Sequence, residues 1–353
     1  MKEVSMALEK WLIERINLAV NEAIDKVKQF ALEAVVGTSS DELTEIREEF
    51  ARVGVWALQN PLPILKAMYY GKPFTVLIGM RPLSTFHLGH LTLMRELNWL
   101  IKRGGYPIFL FASYEADKFI SAQDAELEMV RFGKVFLKFT GTLLPKTVMS
   151  FSDRDSLKLQ ALEDRSAKHL TVRKILQLYG WDKNASIALL RIPVITVAAI
   201  LFPTVLFPEY PTLVLSDIHQ ITHAEVVKIV ARQLKFPSPS YSYRILLPSL
   251  EGPTERMSMK NSRSVIFINE AHEQIVNKLR RSFSGGCLTS KEQRIQGGNP
   301  HICSFFRIGE ILRSYAETAQ VYQECVSGAL LCSECKQKYV SMLAKRICKL
   351  FES

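Results

Sequence analysis

The sequence predicts an α/β protein: a parallel sheet covered by crossover helices, with a helical extension before it and an all-helical domain after it. Three observations predict this. Short apolar runs recur through the middle of the chain, separated by longer amphipathic segments, the pattern of buried parallel strands joined by crossovers. Ahead of them Leu8, Trp11, Leu12, Ile16, Val20 and Ala23 fall at helical spacing. From Ile268 onward the pattern is helical to the end.

Taken in order, the first element is a helix over Met1–Val36. Its other face carries Glu9, Glu14, Asn21, Asp25 and Lys28, so it is expected to pack on protein rather than to span a membrane. The segment Gly37–Asp41 breaks it and caps a second helix near Glu42. Phe74–Ile78 reads as a strand leading to a helix over Leu88–Lys102, and Pro107–Phe111 as a strand leading to a helix over Gln123–Phe139. Lys146–Phe151 is a third strand, Thr212–Ser216 a fourth feeding a helix over Gln220–Leu234, and Arg244–Pro248 the last. The longest apolar stretch, Ile192–Leu206, is interrupted by prolines and is too short for a bilayer. These limits divide the chain into a helical extension (1–60), a sheet domain (61–267) and a helical domain (268–353).

A chain of 353 residues, 48% of them hydrophobic, can build two or three packed cores. The net charge of +10 and pI of about 9.2 favour a polyanionic partner, because Lys and Arg release counterions when they neutralise phosphates. The same charge also serves solubility. The N-terminus reads as a helix and not as a secretory leader, so the expectation is a cytoplasmic protein with reduced thiols.

Two stretches carry chemistry. The first strand ends at Gly79 and the chain turns into a helix through Pro82-Leu-Ser-Thr-Phe-His87-Leu-Gly89-His90. A strand-to-helix turn aims backbone N–H groups at a ligand and is a natural phosphate site. His87 and His90, three residues apart, share a face; their imidazoles can stabilise charge as a phosphate is attacked, and Gly89 lets a base or sugar approach the backbone. The second stretch, Glu255-Arg256-Met257-Ser258-Met259-Lys260-Asn-Ser-Arg-Ser264, is polar and carries three cations, as suits a loop that closes on pyrophosphate. Each also reads as ordinary surface: two histidines at a helix start, and a solvated basic loop.

In this order and at this separation, the two stretches resemble the HIGH and KMSKS signatures of class I aminoacyl-tRNA synthetases. From Phe50 to the C-terminus the chain resembles the tryptophanyl-tRNA synthetases of archaeal and eukaryotic type. Val265–Asn269, Phe283–Gly286, Gln296–Pro300 and Cys325–Lys336 carry that resemblance. It implies a Rossmann-type catalytic domain followed by a helical anticodon-reading domain, a homodimer, ATP with Mg2+, and tRNA and an amino acid, tryptophan, as substrates. His87, His90, Arg256, Ser258 and Lys260 would be catalytic, and Gly79, Gly89 and Met257 would bind ATP.

The chain departs from the family pattern in several places. The first Lys of KMSKS is Arg256, the second Lys is Met259 and the final Ser is Lys260. In Ser216-Asp-Ile-His219-Gln220, Gln220 matches the amino-acid-binding pair but its Asp has become His219. Leu77 stands where a Tyr facing the indole is expected, Phe111 falls near an expected Gln, and Asp117 or Glu115 is left to hold the substrate ammonium. Losing a buried hydrogen-bond partner costs about 1–3 kcal/mol. The implied alternative is a paralogue with an altered pocket, binding RNA or protein or adenylating another substrate.

Four cysteines, Cys303, Cys325, Cys332 and Cys335, are spaced Cys-x21-Cys-x6-Cys-x2-Cys. Some tryptophanyl-tRNA synthetases hold a 4Fe–4S cluster through Cys-x22-Cys-x6-Cys-x2-Cys, one residue longer in the widest gap. Four thiolates equally suit Zn2+, and reduced thiols without metal remain the third reading. Lys336, Lys338, Lys345 and Arg346 beside them are candidate contacts to an anticodon loop.

Overall fold

The computed structural model describes residues 2–36, 42–80, 86–111, 122–143, 148–149, 153–258, 261–267 and 269–351. Within them a seven-stranded sheet runs in the order β1(Glu33–Ala34), β2(Val55–Gln59), β7(Ser240–Arg244), β6(Thr212–Ser216), β3(Phe74–Met80), β4(Gly105–Phe111), β5(Val148–Met149). A separate hairpin pairs β8(Pro248–Ser249) with β9(Gly252–Arg256).

The five strands from β7 to β5 are parallel throughout. Renumbered among themselves they have the 3-2-1-4-5 order of a Rossmann sheet, with crossovers diverging between β3 and β6. That divergence opens a crevice beyond the C-terminal ends of those two strands. β3 occupies the centre because Phe74, Val76, Leu77 and Ile78 are apolar on both faces, as a strand covered by helices on both sides requires.

The N-terminal region differs from the sequence expectation of helix alone. The long helix runs over Lys2–Glu22, a short one follows over Ile24–Phe30, and Ala31 turns the chain with φ of 51°. β1 and β2 then join the sheet, with β2 antiparallel to β7. All five residues of β2 are buried, so this segment contributes to the sheet core. The last parallel strand lies at Ser240–Arg244, earlier than expected, and Pro248 begins the hairpin instead. The predicted third strand is described only at Val148–Met149.

The apolar stretch forms one continuous helix, Ile187–Leu206, in spite of Pro193 and Pro203. Ser186 caps it by accepting the Leu189 amide hydrogen. By length and composition this helix could cross a membrane, which corrects the expectation that it is too short, but half of that apolar window is buried inside the protein. Val197, Ala198, Leu201 and Phe202 pack with Leu159, Leu162, Val226, Val227 and Val230. A core helix meets the same length test, and these contacts supply its apolar environment.

The larger core is continuous from Trp11 through the sheet to Ile347 in the C-terminal helix Cys332–Phe351. The N-terminal helix therefore docks on the C-terminal helices. Trp11 is fully buried, stacked on His301 at 4.4 Å and edge-on to Phe306 at 5.1 Å. Tyr322 donates to Glu14, and Arg15 pairs with the buried Glu310. Burial pushes the Glu310 carboxyl up, but the guanidiniums of Arg15, Arg307 and Arg95 overturn that and hold it at about 2. Sequence-visible caps start the helices beyond: Thr289 with Glu292 and Ser314 with Glu317 form capping boxes.

A carboxyl with a lowered folded pKa stabilises above its unfolded value of 4.5, and that contribution is lost as pH falls toward about 2. Glu310→Gln is expected to cost about 3–5 kcal/mol at neutral pH, because it leaves buried arginines uncompensated. The difference in melting temperature between wild type and variant should shrink across that acid window; calorimetry at stepped pH measures it, and a constant difference would refute the network.

Candidate functional site

The sheet crevice receives both chemistry-bearing stretches. Beyond the exposed Gly79 at the C-terminal end of β3, the chain returns at Phe86, which is buried against Phe132 and edge-on to His90. His87 then forms an antiparallel bridge with Phe267, and the Leu88 amide donates to the Ile266 carbonyl at 3.1 Å. On the other side, the Met257 amide donates to the Leu247 carbonyl at 2.8 Å. Main-chain pairing thus brings the segment through His87 and His90 onto the segment following residues 256–264. Met257 packs within 3.9 Å of where a Cβ would stand on Gly89.

Gly89 has a local reason to be glycine. A Cβ there would meet the His87 ring at 2.7 and 2.8 Å. The Gly89 amide donates to His87 Nδ1 at 3.1 Å, which assigns the ring proton to Nε2. The two imidazoles lie 4.2 Å apart, so they do sit together, although only His90 belongs to the helix His90–Lys102 and His87 precedes it. Burial, then His90 and Arg256, lower His87 to about 3; burial, with Arg244 adding to it against the His87 carbonyl, lowers His90 to about 4. Both rings are neutral hydrogen-bond donors at neutral pH.

Beneath them Glu96 is fully buried, receives the Ser242 hydroxyl and lies 3.6 Å from Arg244. Burial raises its carboxyl, against the pull of Arg244. This group joins the helix that carries His90 to β7.

The end of β6 supplies the other wall. Asp217 caps the single turn Ile218–Gln220 by accepting the His219 amide at 2.8 Å. Its second oxygen accepts from Arg256 at 3.0 Å. Asp217 is a site residue that the sequence reading passed over, because only the fold brings residue 256 to it; the signal available was an Asp heading a helical turn at the end of a strand. Gln220 accepts the Ser216 hydroxyl at 2.9 Å, and His219 and Gln220 are both exposed on that turn. Leu77 is buried at mid-strand between Ile108 and Val214. Phe111 ends β4 in register with Met80. Asp117, Glu115, Met259, Lys260 and Pro82–Thr85 lie outside the described residues.

The far end of the basic loop is anchored. Lys278 donates to the carbonyls of Ser262 and Val265, both at 2.8 Å, and pairs with Glu270. Asn261 reaches Glu251 at 2.8 Å.

The four spaced cysteines all belong to the helical domain. Cys303 caps the helix Ser304–Leu312 by accepting the Phe306 amide at 3.3 Å, and Cys332 and Cys335 lie on the first turn of the C-terminal helix. Burial, then Cys303, Cys332 and Cys335, push Cys325 up to about 12. Cβ atoms on Gly286 and Gly298 would stand 2.9 Å from the sulfurs of Cys332 and Cys325. Among the described residues no three His, Cys, Asp or Glu side chains are grouped to hold a metal ion. Of the cations offered to RNA, Lys336 is tied to the carbonyls of Arg280 and Ser282, Arg346 to Glu317 and Lys338 to Glu324; Lys345 is exposed.

No protein-family model matches the chain. It is similar to the tryptophan–tRNA ligase of Pyrobaculum calidifontis, 28% identical over 291 residues, covering 80% of this chain and 76% of the relative. The ligase of Methanocaldococcus jannaschii is 25% identical over 326 residues, 88% of this chain and 86% of the relative. Among solved structures, the tryptophanyl-tRNA synthetase of Aeropyrum pernix superposes with a TM-score of 0.77 at 22% identity, covering 94% of this chain and 93% of that one. Tyrosyl-tRNA synthetase from the same organism gives 0.64 at 16% identity, covering 87% and 94%. The fold is that of these enzymes.

Histidine resonances followed by NMR are expected to show no titration of His87 or His90 near 6.5. Each is protonated only as pH falls toward about 3 and about 4 respectively. Because the unfolded chain binds these protons first, the two rings destabilise the fold progressively below 6.5. Titration of either ring near neutrality would show that the bridge to 265–267 does not bury them.

Proposed function

We propose that this relative of the tryptophan–tRNA ligases is itself an ATP-dependent ligase, joining tryptophan to its tRNA through an aminoacyl-adenylate. The observation that carries the reading is the main-chain bridge that places His87-Leu-Gly-His90 against the strand end following Arg256-Met-Ser258, at the sheet's switch point. In the first step the carboxylate of the amino acid attacks the α-phosphorus of ATP and pyrophosphate leaves. In the second a terminal ribose hydroxyl of the tRNA takes the aminoacyl group and AMP leaves.

His87 and His90 donate to phosphate oxygens as neutral imidazoles, so their contribution does not change across neutral pH. Gly89, Gly79 and Met257 leave the nucleotide access to backbone. Arg256 exchanges Asp217 for the departing pyrophosphate, helped by Ser258 and Lys260; its planar fork can engage two oxygens where a Lys would offer a point charge. Gln220 and His219 position the amino acid, with Leu77, Phe111 and Asp117 completing the pocket. Magnesium enters on the phosphates of ATP. The enzyme acts as a cytoplasmic homodimer.

The same reading gives Cys303, Cys325, Cys332 and Cys335 a 4Fe–4S cluster. What supports it is the spacing of the four cysteines and Gly286 and Gly298, where side chains would press on two of the sulfurs. When bound, the cluster supplies a rigid staple for the helical domain.

Pyrophosphate exchange across the twenty amino acids is expected to proceed with tryptophan, and Arg256→Ala to lower it about 10²–10³-fold. Exchange with another amino acid would make Leu77 and Phe111 determinants of a different specificity. Adenylate formation without tRNA charging, or tRNA binding without exchange, would overturn the ligase reading in favour of a paralogue. For the cluster, anaerobically purified protein is expected to carry iron and acid-labile sulfide and to lose both in Cys325→Ser; a colourless, iron-free wild type, or one holding zinc, would remove it.

A further inference from the structure

The carboxylate of Asp217 joins the two walls of the crevice. Asp217 directly follows β6, the strand that pairs with β3 through Leu77 and Val214, and so stands where the strand ends open. Its Oδ1 accepts the His219 amide hydrogen at 2.8 Å and fixes the turn Ile218–Gln220. Its Oδ2 accepts from Arg256 Nη1 at 3.0 Å. The two partners are unequal. Asp217 is 8% exposed, whereas the Arg256 side chain, at the end of β9, is 48% exposed.

That inequality matters once Arg256 turns to the pyrophosphate of ATP. A half-exposed guanidinium leaves at small cost, because water and phosphate oxygens replace its partner. The carboxylate it leaves behind is buried, and a buried charge without a counter-charge is strongly unfavourable. The His219 amide supplies a neutral donor and no positive charge. Glu96 shows the contrast: it is fully buried, receives the Ser242 hydroxyl and keeps Arg244 at 3.6 Å, and neither partner is drawn away by substrate. Asp217 gives up its cation during the reaction and needs another. ATP brings magnesium already held by its phosphates. The amino acid brings an α-ammonium, a compact cation with three N–H donors. The turn that Asp217 heads also carries His219 and Gln220, the residues assigned to the amino acid.

We infer that Asp217 is the ammonium-binding residue of the amino-acid pocket, exchanging Arg256 for the substrate's α-ammonium as Arg256 moves to the pyrophosphate. This rests on the ligase reading proposed above. The exchange keeps the crevice balanced in charge: one cation leaves Asp217, another arrives, and no buried carboxylate is left unpaired. No covalent bond changes in this step. Because both substrates act on one ion pair, each favours the binding of the other.

The test measures equilibrium binding and pyrophosphate exchange for full-length wild type, Asp217→Asn, Asp217→Glu and Arg256→Ala. The probes are tryptophan and indole-3-propionate, which keeps the indole and the carboxylate but has no ammonium. Asp217→Asn retains an oxygen for the His219 amide, so the turn keeps its cap while the negative charge is lost. It is expected to bind tryptophan about 10–100-fold more weakly than wild type, and indole-3-propionate no more weakly. KM for tryptophan should rise and KM for ATP should not. Asp217→Glu should recover part of the tryptophan affinity. Arg256→Ala should bind tryptophan alone more tightly than wild type, since nothing then competes for the carboxylate, even though its exchange is slow. Equal weakening of both probes in Asp217→Asn would overturn the inference and leave Asp217 a structural cap. Unchanged tryptophan binding in Asp217→Asn, or weaker binding in Arg256→Ala, would overturn it with the ligase reading intact. A wild type that exchanges pyrophosphate with no amino acid would remove the ligase reading itself, and the inference with it.

Discussion

The exchange of main-chain hydrogen bonds between residues 86–88 and 265–267 is the constraint on which the site depends. A Rossmann sheet supplies a crevice but does not by itself bring a distant basic loop to its rim. Here the strand-like segment after that loop is buried at Val265 and Ile266, and it lies against the turn that starts the helix His90–Lys102. Both imidazoles are desolvated by the same pairing, so their neutrality and the approach of Arg256 have one structural cause. The hold is asymmetric. Lys278 fastens the loop's C-terminal side, whereas Arg256, half-exposed, is held by a single hydrogen bond to Asp217. That is a suitable arrangement for a cation that must change partners during a reaction.

The same principle of shared burial connects regions that are far apart in sequence. Trp11, His301, Phe306 and Tyr322 form one aromatic cluster, and Glu310 draws Arg15, Arg95 and Arg307 to a point where three parts of the chain meet. Arg95 lies on the helix that begins with His90. A change in how the C-terminal helices sit is therefore felt, through one buried carboxylate, on the helix behind the phosphate-binding turn. The N-terminal helix completes this junction, which gives it a structural role in seating the helical domain.

The parallel strands were legible because Phe74–Ile78, Pro107–Phe111 and Thr212–Ser216 are short, mostly apolar runs, as a sheet covered on both faces demands. β2 was not. Val55-Trp-Ala-Leu-Gln59 is largely apolar too, but it follows helical segments and its partner Tyr241–Arg244 lies far along the chain, so local pattern could not distinguish a sheet strand from a helix remnant. The proline positions misled in the other direction: Pro193 and Pro203 each remove one backbone donor, yet the helix Ile187–Leu206 persists because its packing outweighs the loss. His87, Gly89, His90 and Arg256 were readable as motif positions. Asp217, Glu96 and Lys278 were not, since each acts through a neighbour that only the tertiary fold provides.

The distribution of arginines also changes what the chain's basic composition means. A formal charge of +10 suggests a surface field suited to RNA. Arg15, Arg47, Arg307 and Arg313 are each less than a tenth exposed, so they contribute to internal organisation more than to any contact with phosphate. Those with carboxylate partners, Arg15 with Glu310 and Arg47 with Glu33, account for themselves. Arg313 differs: its guanidinium lies over the rings of Tyr339 and Phe305. Exposed cations of the helical domain such as Arg280, Arg281, Lys291 and Lys345 lie on three helices rather than in one sequence block. How that surface is arranged depends on how the helices are held relative to one another, and so on the buried charges at least as much as on the exposed ones.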